Sequence, residues 1–236
     1  MSTVAWITSR GMLGRRRFLL LLPLPIIVVA IALIVRASGV AAEEWTEPVV
    51  IGLGFSTLLP IMALIVGTGV LGAEIDDGTI THILSKPLPR WQIILPKLLV
   101  AIAVTAVTAA IPLYIVGALA SGVRLGLSLV LAAAVGSVLY SAIFVALSLV
   151  TRRPVLLGLF YVIVWEGLLS NLISGTQVLS VQQYVLTIAD RAAATPLLDG
   201  NVGFTVAVVM SVILTLLFAA LSIRRLGSFS VAGETS

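Results

Sequence analysis

The chain has 236 residues, 60% of them hydrophobic and only 10% charged, with a net charge of +4. A mean hydropathy of +1.20 excludes a water-soluble domain of this size and points to an integral membrane protein. No cysteine and a single histidine, His82, exclude disulfides, thiolate metal sites and the His-Glu-x-x-His zinc pattern.

The amino terminus mixes Trp6, Ile7, Met12 and Leu13 with Arg10, Arg15, Arg16 and Arg17. Bulky apolar residues among arginines predict a helix lying at the membrane interface, its cations toward lipid phosphates. The triple arginine mimics an export signal. The apolar run that follows, 18–35, is longer than the usual signal core of about 7–15 residues, so it reads as an uncleaved first span.

Five further apolar runs follow, at about 49–73, 98–120, 125–150, 154–172 and 204–223. The predicted architecture is all-α: six transmembrane helices in one domain, 1–236, with no soluble module. Span two is rich in glycine and contains Pro60; span three contains Pro112. In span four, Ser128, Ala132 and Gly136 recur every four residues, as do Ala133, Ser137 and Ser141. Small residues at that spacing let helices approach closely, either within one subunit or across a dimer seam.

A polar island, 74–97, separates spans two and three. It gathers Glu74, Asp76, Asp77, His82, Lys86, Arg90 and Lys97 within a chain that is otherwise sparsely charged. Such density belongs in water. Asp76 or Asp77 can cap a helix start. Ile80, Ile83 and Leu84 then share one helical face, and Ser85-Lys86-Pro87 ends the run, because a residue before proline is pushed out of the helical region. The apolar face needs a cover: the membrane surface, its own chain, or a partner protein.

The pattern Glu74-x-Asp76-x-Gly78-Thr79-Ile80, continued by Leu84-Ser85-Lys86-Pro87-x-x-Arg90 and Lys97, resembles the first cytoplasmic loop of ATP-binding-cassette (ABC) transporter permeases of the type-2 export class. One departure is Pro96-Lys97, where that family usually has Gly-Lys. The resemblance implies that the 74–97 loop carries a coupling helix for an ATPase subunit. It also implies an amino-terminal elbow helix and short re-entrant helices between spans five and six. It further implies export of a hydrophobic or amphiphilic cargo. The expected partners are two ABC ATPase subunits, a second permease copy and the lipid bilayer, with no nucleic acid. No cofactor is expected in this chain; ATP and magnesium would sit on the ATPase. The chain itself has no phosphate-binding Gly-x-x-x-x-Gly-Lys-[Ser/Thr] loop and no expected catalytic or metal residues.

The connection between spans five and six contains Ser180-Val181-Gln182-Gln183-Tyr184, similar to a stretch common in that region of the family. Ser180 is the expected cap of a helix that dips back toward the membrane.

Orientation follows from the fourteen Lys and Arg residues: all but Arg36, Arg124 and Arg191 fall on one side of the predicted topology. That bias puts both termini and the 74–97 loop in the cytoplasm; the expected location is the plasma membrane.

One acid interrupts a span. Glu166, next to Trp165, lies twelve residues after Pro154, about 18 Å along a helix. A central carboxylate costs about 3 kcal/mol on insertion scales, and the Leu, Ile, Val and Phe residues of the same span offset it at about 0.3–0.6 each. Glu166 must then be protonated, hydrogen-bonded or wet. Two roles are open: a tie between helices, or a contact with cargo or gate. A proton-driven secondary transporter using Glu166 as its relay is the alternative function, although it leaves the ordered 74–97 loop unexplained. An intramembrane hydrolase is disfavoured because His82 falls in the loop.

Overall fold

The computed structural model describes residues 21–76, 89–169, 174–195, 197–198 and 200–228. Helical segments are numbered in chain order: α1 (Pro23–Ala37), α2 (Ala42–Glu47), α3 (Pro48–Leu58), α4 (Leu59–Asp76), α5 (Trp91–Ser121), α6 (Val123–Val150), α7 (Pro154–Phe160), α8 (Tyr161–Leu169), α9 (Ser174–Leu179), α10 (Val181–Ala193) and α11 (Phe204–Ser228). Among the described residues there is no strand.

Four helical runs are long and apolar enough to cross a membrane: Ala42–Leu71, Trp91–Ser121, Val123–Val150 and Phe204–Gly227. Pro23–Ala37 and Pro154–Leu168 are apolar but shorter. Four full-length candidates and two shorter helices thus stand where six spans were expected. The expected elbow helix lies outside the described residues.

Helix α6 is the hub. It packs against α4, α5, α7, α10 and α11. Of its most apolar window 72% is buried, against 17% for α11, whose outer face is exposed. The small-residue stripes explain this. Ser128, Ala132, Gly136, Ala133, Ser137 and Ser141 are all buried within the chain. Close packing inside one subunit is therefore the use these residues have here. A Cβ on Gly136 would meet the Leu59 side chain at 2.5 Å and the Val185 side chain at 2.9 Å, so both side chains use the space that the bare position leaves.

Helices α5 and α6 fold back on each other through one residue, Gly122, at φ +92°. That backbone region is essentially reserved for glycine. The crossing below it is equally tight: a Cβ on Gly117 would stand 2.8 Å from the Gly126 Cα. On the same side Arg36, just before the end of α1, donates to the Leu119 carbonyl in the last turn of α5. A cation there satisfies one of the carbonyls that a helix end leaves without an intrahelical partner.

Helix α5 begins at Trp91, not at 98, and the helix of span two begins at Ala42, not at 49. Pro96 and Pro112 both sit inside α5. In a membrane bundle, neighbouring helices and side chains re-satisfy the backbone groups that proline frees.

Two stretches are wound as π-helix, α3 and α8. In α3 the cause is legible. Pro60 lacks an N–H and its ring crowds the carbonyl four residues back, which favours a wider turn before it. The side chains follow the wide register: Ser56 Oγ donates to Ile51 O at 2.8 Å and Thr57 Oγ1 to Gly52 O at 2.9 Å, each five residues back.

Candidate functional site

The polar centre of the bundle is built on Glu166, in α8. The residue is 1% exposed, and among the described residues at least four donors reach its carboxylate. Tyr161 Oη donates to Oε1 at 2.8 Å and Ser180 Oγ to Oε2 at 2.5 Å. The backbone N–H groups of Val181 and Gln182 donate to Oε1 at 3.0 Å and Oε2 at 3.3 Å. Those two N–H groups open α10. A helix start leaves such donors without intrahelical partners and carries a partial positive charge, so a carboxylate satisfies both needs at once.

The sequence of the neighbourhood shows how this arises. Ser180 is the N-cap of α10, in extended conformation, and its Oγ accepts from Gln183 N at 3.3 Å. Tyr161 lies five residues before Glu166, one turn of a π-helix, so the wide winding of α8 brings the hydroxyl under the carboxylate. Trp165 Nε1 donates to Leu179 O at 3.3 Å. Tyr184 Oη donates to Val178 O. Helix α8 is thus fastened to both α9 and the first turn of α10.

Aromatic rings close the site. Tyr140 and Phe144, one turn apart on α6, stack with centroids 6.0 Å apart. Phe144 meets Tyr161 edge to face at 6.3 Å. These rings pack on one another next to the hydrogen-bonded cluster, whose burial strengthens its electrostatics.

Helix α10 itself is unusual for its setting. Every residue from Val181 to Ala189 is buried, Gln182, Gln183 and Thr187 included. Gln182 Nε2 donates to Ser56 Oγ on α3 at 2.7 Å. Toward its other end, Thr187 Oγ1 donates to Val202 O at 3.3 Å, and Gly200 sits against Thr187, where a Cβ would come within 2.8 Å of the Thr187 Cα. The helix ends at Ala194 in the left-handed region, φ +49°.

The second expected site is brought together only at its edges. Glu74 and Asp76 fall in the last turn of α4. Asp77, Gly78, Thr79, Ile80, Ile83, Leu84, Ser85, Lys86 and Pro87 lie outside the described residues. Arg90 is the residue before α5, and Trp91 starts the helix. Lys97 departs from the expectation of a water-facing loop. It lies two turns into α5, is 1% exposed, and its Nζ donates to Val70 O on α4 at 3.2 Å. A lysine reads as a loop residue because its charge favours water. Here its long apolar stem lets it cross to the neighbouring helix and place the ammonium on a carbonyl.

The sequence singles out Glu166, Trp165 and Ser180, and Gln182 only as part of the Ser180–Tyr184 stretch; it gives Tyr161 and Ser56 no role. One signal was present: Ser180 followed three residues later by Gln183 is the Ser-x-x-Gln spacing of a capping box. Nothing in the sequence points from Gln182 to Ser56, which are 126 residues apart.

An all-helical bundle with four helices long and apolar enough to cross a membrane, and a buried acid that caps a buried helix, is the architecture of a multi-pass membrane protein. The chain belongs to the ABC-2 permease family: the family model for ABC-2 family transporter proteins matches residues 15–173, two-thirds of the chain. It is therefore a membrane permease of an ABC transporter and a transport subunit in kind. No curated protein matches the sequence.

Proposed function

We propose that this chain is the membrane-spanning subunit of an ATP-driven exporter, paired with a second copy of itself and driven by two separate ATPase subunits. The observation that carries this reading is the family match, which begins before the first span and runs through the 74–97 loop to the end of span five. The loop is the charged connection of a chain in which charge is scarce, and it joins α4 to α5. Glu74, Asp76, Asp77, Ile80, Ile83, Leu84 and Arg90 are the proposed docking residues. Gly78, Thr79, Ser85, Lys86 and Pro87 shape the loop. Lys97 ties the two helices that leave it.

In this reading ATP closes the ATPase pair and draws the two loops together, and hydrolysis resets them. The permease contributes rigid-body motion and makes no covalent bond. Cargo is hydrophobic or amphiphilic. An apolar groove of about 350 Å³ between α1 and α5, lined by Pro25, Ile26, Leu33, Ile111 and Pro112 among others, suits an acyl or polycyclic segment. The loop and both termini lie in the cytoplasm of a plasma-membrane protein.

The test is assembly. Affinity-tagged permease extracted from its own host should bring down an ATPase, and Ile83→Asp should lose it while still inserting. Burying each aliphatic side chain of the face contributes about 1.5–3 kcal/mol, enough for one acid to weaken the contact strongly. A mutant complex that purifies intact with full ATP turnover would sink the docking face. The clamp on Glu166 favours this reading over a proton-driven carrier, because four donors already occupy the carboxylate of the proposed relay.

A further inference from the structure

The apolar groove between α1 and α5 is built from two stripes that converge on a cation. On α1 the wall runs through Ile26, Ala30 and Leu33, and on α5 through Ile111 and Ile115. Residues three or four apart share a helical face. Each stripe therefore continues one turn further, from Leu33 to Arg36 and from Ile115 to Leu119. There the two helices are joined, because Arg36 donates to the Leu119 carbonyl. Leu119 lies in the last turn of α5, at the end remote from the 74–97 loop.

The groove has the bore and depth for one chain. Ala30 puts a methyl between the longer side chains of Ile26 and Leu33, and every residue of the lining is apolar. Ile26, Leu33 and Ile111 are exposed. The volume, about 350 Å³, is at the lower end of the range of about 300–1,000 Å³ for small-molecule sites. Pro25, the deepest lining residue on α1, precedes Arg36 by eleven positions, about 16 Å along a helix. Half of a hydrocarbon core of about 30 Å is about 15 Å, so the groove is one leaflet deep.

The cation at its end has donors to spare. A guanidinium carries five N–H donors in a planar fork that matches phosphate, and Leu119 O engages Nη1. Arg36 is exposed, and among the described residues no acid pairs with it. Glu43 and Glu44 stand in the first turn of the next helix, α2. That end of the bundle is therefore not broadly basic, and its pull on an anion is local to Arg36.

We propose that the groove is a phospholipid site: one acyl chain lies between α1 and α5, and the headgroup phosphate sits on Arg36, in the leaflet opposite the 74–97 loop. An apolar slot one leaflet deep under a cation has the charge order of a phospholipid. Protein segments that could cover the slot bring no anion. Residues 1–20 contain four arginines and no acid, and the exposed helix α11 of a second copy contains no acid either. The lipid takes the groove that the exporter reading offers to cargo. The site needs neither cargo nor ATPase, so it can fail while that reading stands.

The test uses the full chain, purified in detergent and stripped of lipid. Dioleoylphosphatidylglycerol and dioleoylglycerol, the same chains with and without a phosphate, are titrated in turn, and bound copies are counted by native mass spectrometry. The expected result is one tightly held phospholipid per chain. Arg36→Gln should weaken it about tenfold, as loss of a charge-assisted contact does. Arg36→Lys should restore most of that loss, and dioleoylglycerol should be indifferent to both. Ala30→Phe, which fills the slot, should weaken both lipids. Counts indifferent to Arg36→Gln and Ala30→Phe would mean annular lipid only and overturn the site. Equal loss of both lipids in Arg36→Gln would overturn the phosphate contact, since Arg36 would then only hold the helices together. Because the chain has no cysteine, Leu33→Cys can carry a benzophenone in the native membrane. Photoactivation should capture phospholipid, and less of it when Arg36→Gln is added. A crosslinked dimer, or a crosslink to residues 1–20, assigns the groove to protein and overturns the proposal.

Discussion

Glu166 and Ser180 meet at 2.5 Å, side chain to side chain, at the start of a helix that is buried along its first nine residues. A carboxylate in an apolar helix and the N-cap of a buried helix thus solve each other's problem. The acid would be costly in hydrocarbon without donors, and the helix start would be costly without acceptors. Through these hydrogen bonds Glu166 joins α8 to the start of α10, the geometry that the first of its two open roles requires.

The tie predicts an order among substitutions. Glu166→Ala leaves two N–H groups and two hydroxyls without their acceptor and should destabilise by about 3 kcal/mol or more. Glu166→Gln keeps the volume but offers one acceptor oxygen where two pairs of donors converge, so it should cost about 1–2 kcal/mol. Ser180→Ala, which removes a cap and one of the four donors, should cost about 1 kcal/mol. Thermal unfolding of the purified variants in detergent checks the ranking. A glutamine variant as stable as the parent would show that one of the two oxygens contributes nothing.

Much of this fold was legible, and the reasons are physical. Apolar runs of about twenty residues announce spans, because the bilayer core has a fixed thickness. Ser180 was legible as a cap because short oxygen-bearing side chains satisfy free N–H groups. Lys97 was misplaced because periodicity and charge cannot say that a lysine stem bridges two helices. The π winding of α3 and α8 was invisible, since a change in turn width leaves the run of apolar residues unaltered. The Gln182–Ser56 contact was also out of reach, since long-range pairing appears only once the spans are packed.

The α5–α6 hairpin predicts a steep dependence on side-chain size. Gly117→Val must push Gly126 and Leu129 away, all within 2.8 Å of the new Cβ. Overpacking of this kind costs about 1–3 kcal/mol. Gly52→Ala is the contrasting case. Its Cβ would meet nothing within 4 Å, and alanine in a helix is favoured over glycine by about 0.5–1 kcal/mol. Melting temperatures should therefore move in opposite directions. A Gly117→Val protein with an unchanged melting temperature would mean that the two helices do not cross as tightly as this.

The topology predicts an accessibility pattern. Single cysteines at Ser9, Ser85 and Ser228 should be shielded from a membrane-impermeant thiol reagent in intact cells and react after permeabilisation. The motive is the clustering of Lys and Arg on one side, which orients spans toward the cytoplasm. Labelling of the Ser85 position from outside would remove the loop from any reach of an ATPase.

Lys97 carries the last prediction. Its ammonium is buried at the junction of α4 and α5, on the Val70 carbonyl, within three turns of the segment that both helices lead into. Lys97→Met keeps the unbranched stem and its packing while removing the charge and its three donors. If the lysine only fills space, the methionine variant should equal the parent. If it fastens α4 to α5, the variant should lose about 1–3 kcal/mol, and the two helices should part first at the loop end. Hydrogen exchange of the 67–76 and 91–100 backbone reads this directly. The expected outcome is faster exchange in both stretches together, with the Gly117–Gly126 crossing at the far end of α5 unaffected. Faster exchange in α5 alone would contradict a tie between the two helices, because a shared fastening must loosen both.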